Sequence, residues 1–165
     1  MDRAFSFGRN EAWKMAKCKD FTNYKERGEW VEAQFIAQVL RMGFKVLKPW
    51  GDSSAYDIGV EHGRQFFRMQ VKSTSYRLNS GYLCGFKPNR SSRVKYSTKT
   101  VGFFAAYVIP KNAWYVLPSS VVLKTKSQDL MLCPVRQPKR DLYHYECYRE
   151  AWNLMRRPPG ARASR

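Results

Sequence analysis

Tyr56-Asp57-Ile58-Gly59-Val60-Glu61-His62-Gly63-Arg64-Gln65-Phe66-Phe67-Arg68-Met69-Gln70-Val71-Lys72-Ser73 is the run on which the fold turns. It reads as two strands, residues 56–61 and 66–73, joined by His62-Gly63-Arg64-Gln65, which has the length and the glycine of a hairpin loop. A four-residue loop sets Ile58 opposite Met69 and Val60 opposite Phe67, and both pairs are apolar. Side chains alternate along a strand, so Phe67, Met69 and Val71 face the core while Phe66, Arg68, Gln70 and Lys72 share the other side. The same register puts Asp57 opposite Gln70. A two-residue loop keeps that parity; a three-residue loop throws Asp57 to the other face unless a bulge restores it.

Before the hairpin, residues 28–42 (Gly28-Glu29-Trp30 through Arg41-Met42) show apolar residues at helical spacing and stop at Gly43, a suitable C-cap. Glu29, Ala33, Ile36 and Leu40 follow one helical stripe, which makes Glu29 the acid at the head of the buried face, with Glu32 its neighbour and a second candidate. Phe44-Lys45-Val46-Leu47-Lys48 is a short strand, closed by the turn-forming Pro49-Trp50-Gly51-Asp52-Ser53-Ser54. Asp52 with Ser53 and Ser54 fits an Asx-type turn better than a phosphate or metal contact. His62 decorates the hairpin tip.

Beyond the hairpin, the stretch from Lys87 to Thr100 gathers Lys87, Arg90, Arg93, Lys95 and Lys99 with no acid, and is expected as an exposed loop suited to phosphates. The competing reading is a solvated charge run that keeps the protein soluble. Residues 101–110, nearly all apolar, read as a buried central strand, and 113–117 as its partner. A last helix capped by Asp141 is expected to run through Tyr145, Tyr148, Trp152 and Leu154. Its aromatics, with Tyr143, are expected in the core rather than stacked on bases.

The chain has 165 residues, enough for one domain, and at 44% apolar and 15% aromatic it is too rich for a disordered chain. The organisation expected is a loosely packed arm over 1–24, a domain over 25–155 and a basic disordered tail over 156–165. With 30 Lys and Arg against 13 Asp and Glu the net charge is +17, which points to a polyanionic partner. Without the four arginines of the tail about +13 remains. No apolar run approaches ~20 residues and the N-terminus has no signal-peptide stretch, so a cytoplasmic protein without membrane contact is expected. Cysteines 18, 84, 133 and 147 form no CxxC pair, and with two histidines a structural zinc site is not expected; reduced thiols are expected.

Together, Gly28-Glu29, Pro49-Trp50-Gly51-Asp52, Tyr56-Asp57, Gln70-Val71-Lys72 and Ala105-Ala106-Tyr107-Val108-Ile109-Pro110 resemble the PD-(D/E)xK endonucleases related to bacterial group I intron homing enzymes. The resemblance spans residues 25–157 and rests on the order and spacing of short motifs. It implies an α/β restriction-endonuclease-like core, a mixed β-sheet flanked by an N-terminal and a C-terminal helix. It also implies metal-dependent hydrolysis of DNA phosphodiesters, by an endonuclease of the homing or mobile-element type or of a structure-selective, junction-resolving type. Carried over by position, Asp57 matches the first acidic ligand, Gln70 the second site position, Lys72 the lysine and Glu29 the helix acid. Tyr56 stands in place of the name-giving proline, Gln70 in place of the usual carboxylate, and Gly102 where relatives often carry an acid.

These residue types suit the chemistry. Mg²⁺, with Mn²⁺ as a substitute, takes hard oxygen ligands, which Asp57, the Gln70 amide oxygen, the Val71 backbone carbonyl and Glu29 offer. Lys72 would orient the attacking water or stabilise developing negative charge. Other readings are a solvent-facing strand with an incidental ion pair, a catalytically impaired nucleic-acid-binding protein that keeps the fold, and an RNA-binding protein of the translation machinery. A homo-oligomer is expected of nucleases that cut both strands, but no seam is legible.

Overall fold

In the computed structural model, which describes residues 21, 23–51, 53–88, 95–134 and 144–156, the hairpin sits inside a five-stranded mixed sheet. Its strands are β1 (Lys45–Leu47), β2 (Ile58–His62), β3 (Gln65–Thr74), β6 (Phe103–Val108) and β7 (Ala113–Pro118), in that spatial order. Ile58 pairs with Met69 and Val60 with Phe67, the register expected. The ladder continues to His62 opposite Gln65, so the turn is the two residues Gly63-Arg64, with Gly63 at φ +60°. Parity is therefore kept. β3 runs parallel to β6, which pairs antiparallel with β7.

α1 (Tyr24–Arg41) starts earlier than its apolar pattern suggests, because Asn23 caps it by accepting from the Lys25 backbone N–H at 2.9 Å. Gly43 at φ +82° ends it as expected. The buried stripe differs from the expected one. Val31, Phe35 and Val39 point inward, while Glu29, Ala33 and Leu40 are exposed and Ile36 lies at the margin. Both sets satisfy helical spacing, and the one with the larger apolar side chains won the sheet. Val31, Phe35 and Val39 pack on Met69, Val71, Ala105 and Trp114.

A second sheet, absent from the sequence reading, covers the opposite face: β4 (Arg77–Leu78), β5 (Gly81–Gly85) and β8 (Asp129–Leu132), antiparallel throughout. Tyr82, Cys84, Leu130 and Leu132 from it pack on Phe104, Ala106, Tyr115 and Leu117. Between β7 and β8 lies one short helical turn, α2 (Ser119–Val122).

The expected last helix is replaced by two 3₁₀ turns, Glu146–Tyr148 and Trp152–Met155. Glu150 explains the difference. Its backbone N–H donates to the Trp114 carbonyl at 2.8 Å and its carboxylate accepts from the Trp114 N–H at 2.7 Å. Arg149 bridges to Tyr115, so the segment seals the outer edge of β7 instead of coiling. Trp152 is core as expected, and Tyr145 and Tyr148 pack on the second cluster. His62 closes the ladder and rests on Phe44. Cys84, Cys133 and Cys147 are free thiols. Among the described residues no helix is long and apolar enough to cross a membrane. Asp52, Asp141, Tyr143, Cys18, most of the expected arm and all of the expected tail but Arg156 lie outside the described residues.

Candidate active site

Asp57 stands one residue before β2, where that strand's ladder ends, and its N–H donates to the Met69 carbonyl at 2.9 Å. Its carboxylate reaches across to β3: one oxygen, Oδ2, accepts from Gln70 Nε2 at 2.7 Å and from the Val71 N–H at 2.8 Å. Asp57 and Gln70 thus meet as the register implied. Gln70 is only 7% exposed, and its amide nitrogen is spent on Asp57, so its Oε1 is the end left for a ligand. Val71 turns its N–H toward the β2 edge. In a strand a residue's C=O leaves on the same edge as its N–H, so the Val71 carbonyl opens beside Asp57, past the start of β2.

Two residues on, Lys72 sits on the same face of β3 as Gln70 and donates to the Tyr96 hydroxyl at 3.3 Å. Burial holds its ammonium below the usual lysine range, with the nearby Asp57 charge working the other way. Burial likewise pushes the Asp57 carboxyl up to about 6, against the lowering effect of its Val71 and Gln70 hydrogen bonds, while the Glu32 charge raises it further. Two titratable groups are thus displaced toward each other in one cleft, which makes it a candidate site.

Asp57, Gln70, Val71 and Lys72 line one open cleft of about 720 Å³, lined elsewhere by the first half of α1 and by Ser73, Gly85 and Lys87. The helix acid on this cavity is Glu32. Glu29 is exposed and lines an adjoining cavity of about 420 Å³, in which Glu32 and Asp57 also take part. The Glu32 carboxylate accepts from Lys48 Nζ at 2.8 Å. Lys25 and Arg27 on α1 join Lys72 and Lys87 around the larger cavity, so cations outnumber its two acids. Of the basic run, Lys87 lies at the cavity and donates to Asp129 at 3.4 Å. Lys95 and Lys99 are exposed, while Arg90 and Arg93 lie outside the described residues.

Sequence reasoning did not single out Lys48, Arg27 or Tyr96. Arg27 and Glu32 are five apart, about 140° around the helix, so helical spacing gave no signal that pairs them. Tyr96 was hidden inside the basic run.

The donors suit a hard divalent cation. Asp57 Oδ1, Gln70 Oε1, the Val71 carbonyl and the Glu32 carboxylate are all oxygens, of which two carry charge. No cluster of three acidic, histidine or cysteine groups occurs among the described residues. A cation held here would therefore need the glutamine and the carbonyl besides the two carboxylates.

The chain matches the family model of PD-(D/E)XK endonucleases over residues 22–155, and it belongs to that family. Nuclease is the class of protein that fold and family define. The solved structure of a bacterial homing endonuclease, I-Ssp6803I, is similar at 27% sequence identity and a TM-score of 0.69, covering 82% of this chain and 92% of the other. No curated protein sequence matches the chain. The restriction-endonuclease-like expectation is met by the mixed sheet with its flanking helix.

Proposed function

We propose that this chain is a DNA endonuclease of the homing or mobile-element type, hydrolysing phosphodiester bonds with a divalent cation, Mg²⁺ or in its stead Mn²⁺. The observation that carries the reading is the convergence of the Asp57 carboxylate, the Gln70 amide and the Lys72 ammonium on one cavity, with Asp57 bonded to Gln70 and Val71 at 2.7 and 2.8 Å. The type follows the structural neighbour, itself a homing endonuclease.

In this reading Asp57, Gln70 through Oε1, the Val71 carbonyl and Glu32 hold the cation. Bound there, it would lower the pKa of a coordinated water and offset charge on the phosphate. Glu29, exposed on the adjoining cavity, is the alternative helix acid. Lys72 orients the attacking water and faces the negative charge that builds on the phosphoryl oxygens. Lys25, Arg27 and Lys87 hold the DNA backbone around the cavity.

Plasmid cleavage with Mg²⁺ and with chelator, beside Lys72→Ala and Asp57→Asn proteins, tests this. Both variants are expected to lose cleavage by about 10³-fold while DNA binding by filter retention is kept. Cleavage by Lys72→Ala at the unsubstituted rate would remove the site. Tight DNA binding with no cleavage by any form would favour a module that keeps the fold without the chemistry.

A further inference from the structure

Beside Gln70 and Thr74 on its own strand, the sheet face that carries Lys72 meets an apolar layer. Phe104, Ala106 and Phe86 are fully buried on that side, and Ala106 is the residue beside Lys72 on the neighbouring strand. An ammonium in such surroundings needs an acceptor, and a general electrostatic catalyst needs a fixed direction. Tyr96 supplies both. Its hydroxyl accepts from Lys72 Nζ at 3.3 Å, and the ammonium lies 5.5 Å from the centre of its ring. Tyr96 is held in turn, meeting Phe104 edge-on at 5.5 Å, and Phe104 meets Phe86 edge-on at 5.3 Å. An aromatic stack anchored in the second core thus ends on the catalytic lysine.

We propose that Tyr96 is a positioning residue for Lys72, fixing the ammonium toward the cavity it shares with Asp57 and Gln70. The inference rests on the nuclease reading of that cavity. Without the hydroxyl, the four-carbon stem of Lys72 is free to move its head group among other directions, because a lysine ammonium is a point charge with no planar geometry to hold it. Phe86 and Phe104 keep the Tyr96 ring in place whether or not it carries a hydroxyl, which separates positioning from packing.

The test is Tyr96→Phe, which keeps the ring contacts and removes the acceptor. Four quantities are read: kcat and KM for DNA cleavage with Mg²⁺, the thermal midpoint, and the rate at which Lys72 reacts with an amine-acylating reagent, followed by peptide mass spectrometry. The expected result is a fall in kcat of about ten-fold with KM and midpoint unchanged, and faster acylation of Lys72. A kcat at the unsubstituted value would overturn the proposal. So would a lower kcat with Lys72 acylated at its original rate, since the effect would then not pass through the lysine. If the unsubstituted protein does not cleave, the nuclease reading fails. The acylation rate then decides alone: faster acylation keeps the Tyr96 contact, and an unchanged rate removes it.

Discussion

β3 and β6 lie side by side and parallel, with Gln70 beside Phe104 and Lys72 beside Ala106, yet they differ in what they bury. β6 and its partner β7 put Phe104, Ala105, Ala106, Val108, Tyr115, Val116 and Leu117 at full burial on both faces. The end of β3 puts an amide and an ammonium in the same layer, against a carboxylate from the residue before β2. Apolar burial contributes about 25 cal/mol per Å², whereas a buried polar group at best recovers what desolvation costs. The β6–β7 hairpin thus holds the sheet together, and the β2–β3 end uses the rigidity it provides.

The largest effect expected from this contrast is a double dissociation. Leu117→Ala, in the apolar hairpin, should lower unfolding free energy by about 2–5 kcal/mol with cleavage per folded molecule retained. Lys72→Ala should do the reverse, losing about 10³-fold in cleavage with no loss of stability. Denaturant midpoints measured beside cleavage rates check both. A Leu117→Ala protein that is stable but inactive would break the division between the two strands.

Next in size is the cost of keeping Asp57 charged. Its folded pKa, raised to about 6 from 3.8, means that the folded chain keeps a proton which the unfolded chain has released, so stability falls as pH rises from about 4 to about 6. Above that window the penalty is complete, and below it there is none. Asp57→Asn, which retains one acceptor for Gln70 or Val71, should therefore be more stable than the unsubstituted protein by about 1–2 kcal/mol at pH 8 in chelator, and no more stable at pH 3.5. Urea unfolding at the two pH values measures this. A gain of equal size at both would assign the effect to something other than the carboxylate charge.

The same contrast decides what was legible in the sequence. The β2–β3 register was readable because alternation and a glycine turn leave little choice once Ile58 and Val60 must meet Met69 and Phe67. The meeting of Asp57 with Gln70 came with it. The helix acid was less accessible: Glu29 and Glu32 are three apart, so both fall on or next to any apolar stripe, and only packing on Val71 and Met69 chose between Val31-Phe35-Val39 and Ala33-Ile36-Leu40. The second sheet depends on Tyr82 pairing with Leu132, a contact far apart in the chain that leaves no local pattern. The last helix failed because aromatic spacing does not reveal that Glu150 is bound to Trp114.

A smaller effect is expected from Gln70→Glu. Gln70 Nε2 lies 2.7 Å from Asp57 Oδ2, so a carboxyl in its place must hold a proton or meet a cation there. Without metal the variant should bind one more proton near neutral pH. With Mg²⁺ or Mn²⁺ it should show a larger rise in thermal midpoint than the unsubstituted protein, by mass action on a tighter site. An identical metal-induced rise in both proteins would place the ion away from Gln70.

The smallest effect concerns the basic run, where charge rather than packing or chemistry is at stake. Lys87 lies at the cavity, and Lys95 and Lys99 are exposed close by in sequence to Tyr96. Arg90 and Arg93 fall between them, outside the described residues. Lys87 bridges to Asp129, but the run itself holds no acid, which suits backbone phosphates, and each phosphate neutralised on duplex DNA adds about −0.9 to the log-log slope of affinity against salt. Replacing Arg90, Arg93 and Lys95 together with Ala should weaken binding equally across sequences and flatten that slope by up to about 3. The thermal midpoint is read beside it as the control for folding; Lys95 is exposed, and exposed charges contribute little to stability. An unaltered slope, with circular dichroism unchanged, would make the run a solvated surface. The DNA backbone would then lie against Lys25 and Arg27 of α1, or against the terminal segments, and the slope lost on replacing those cations would show which.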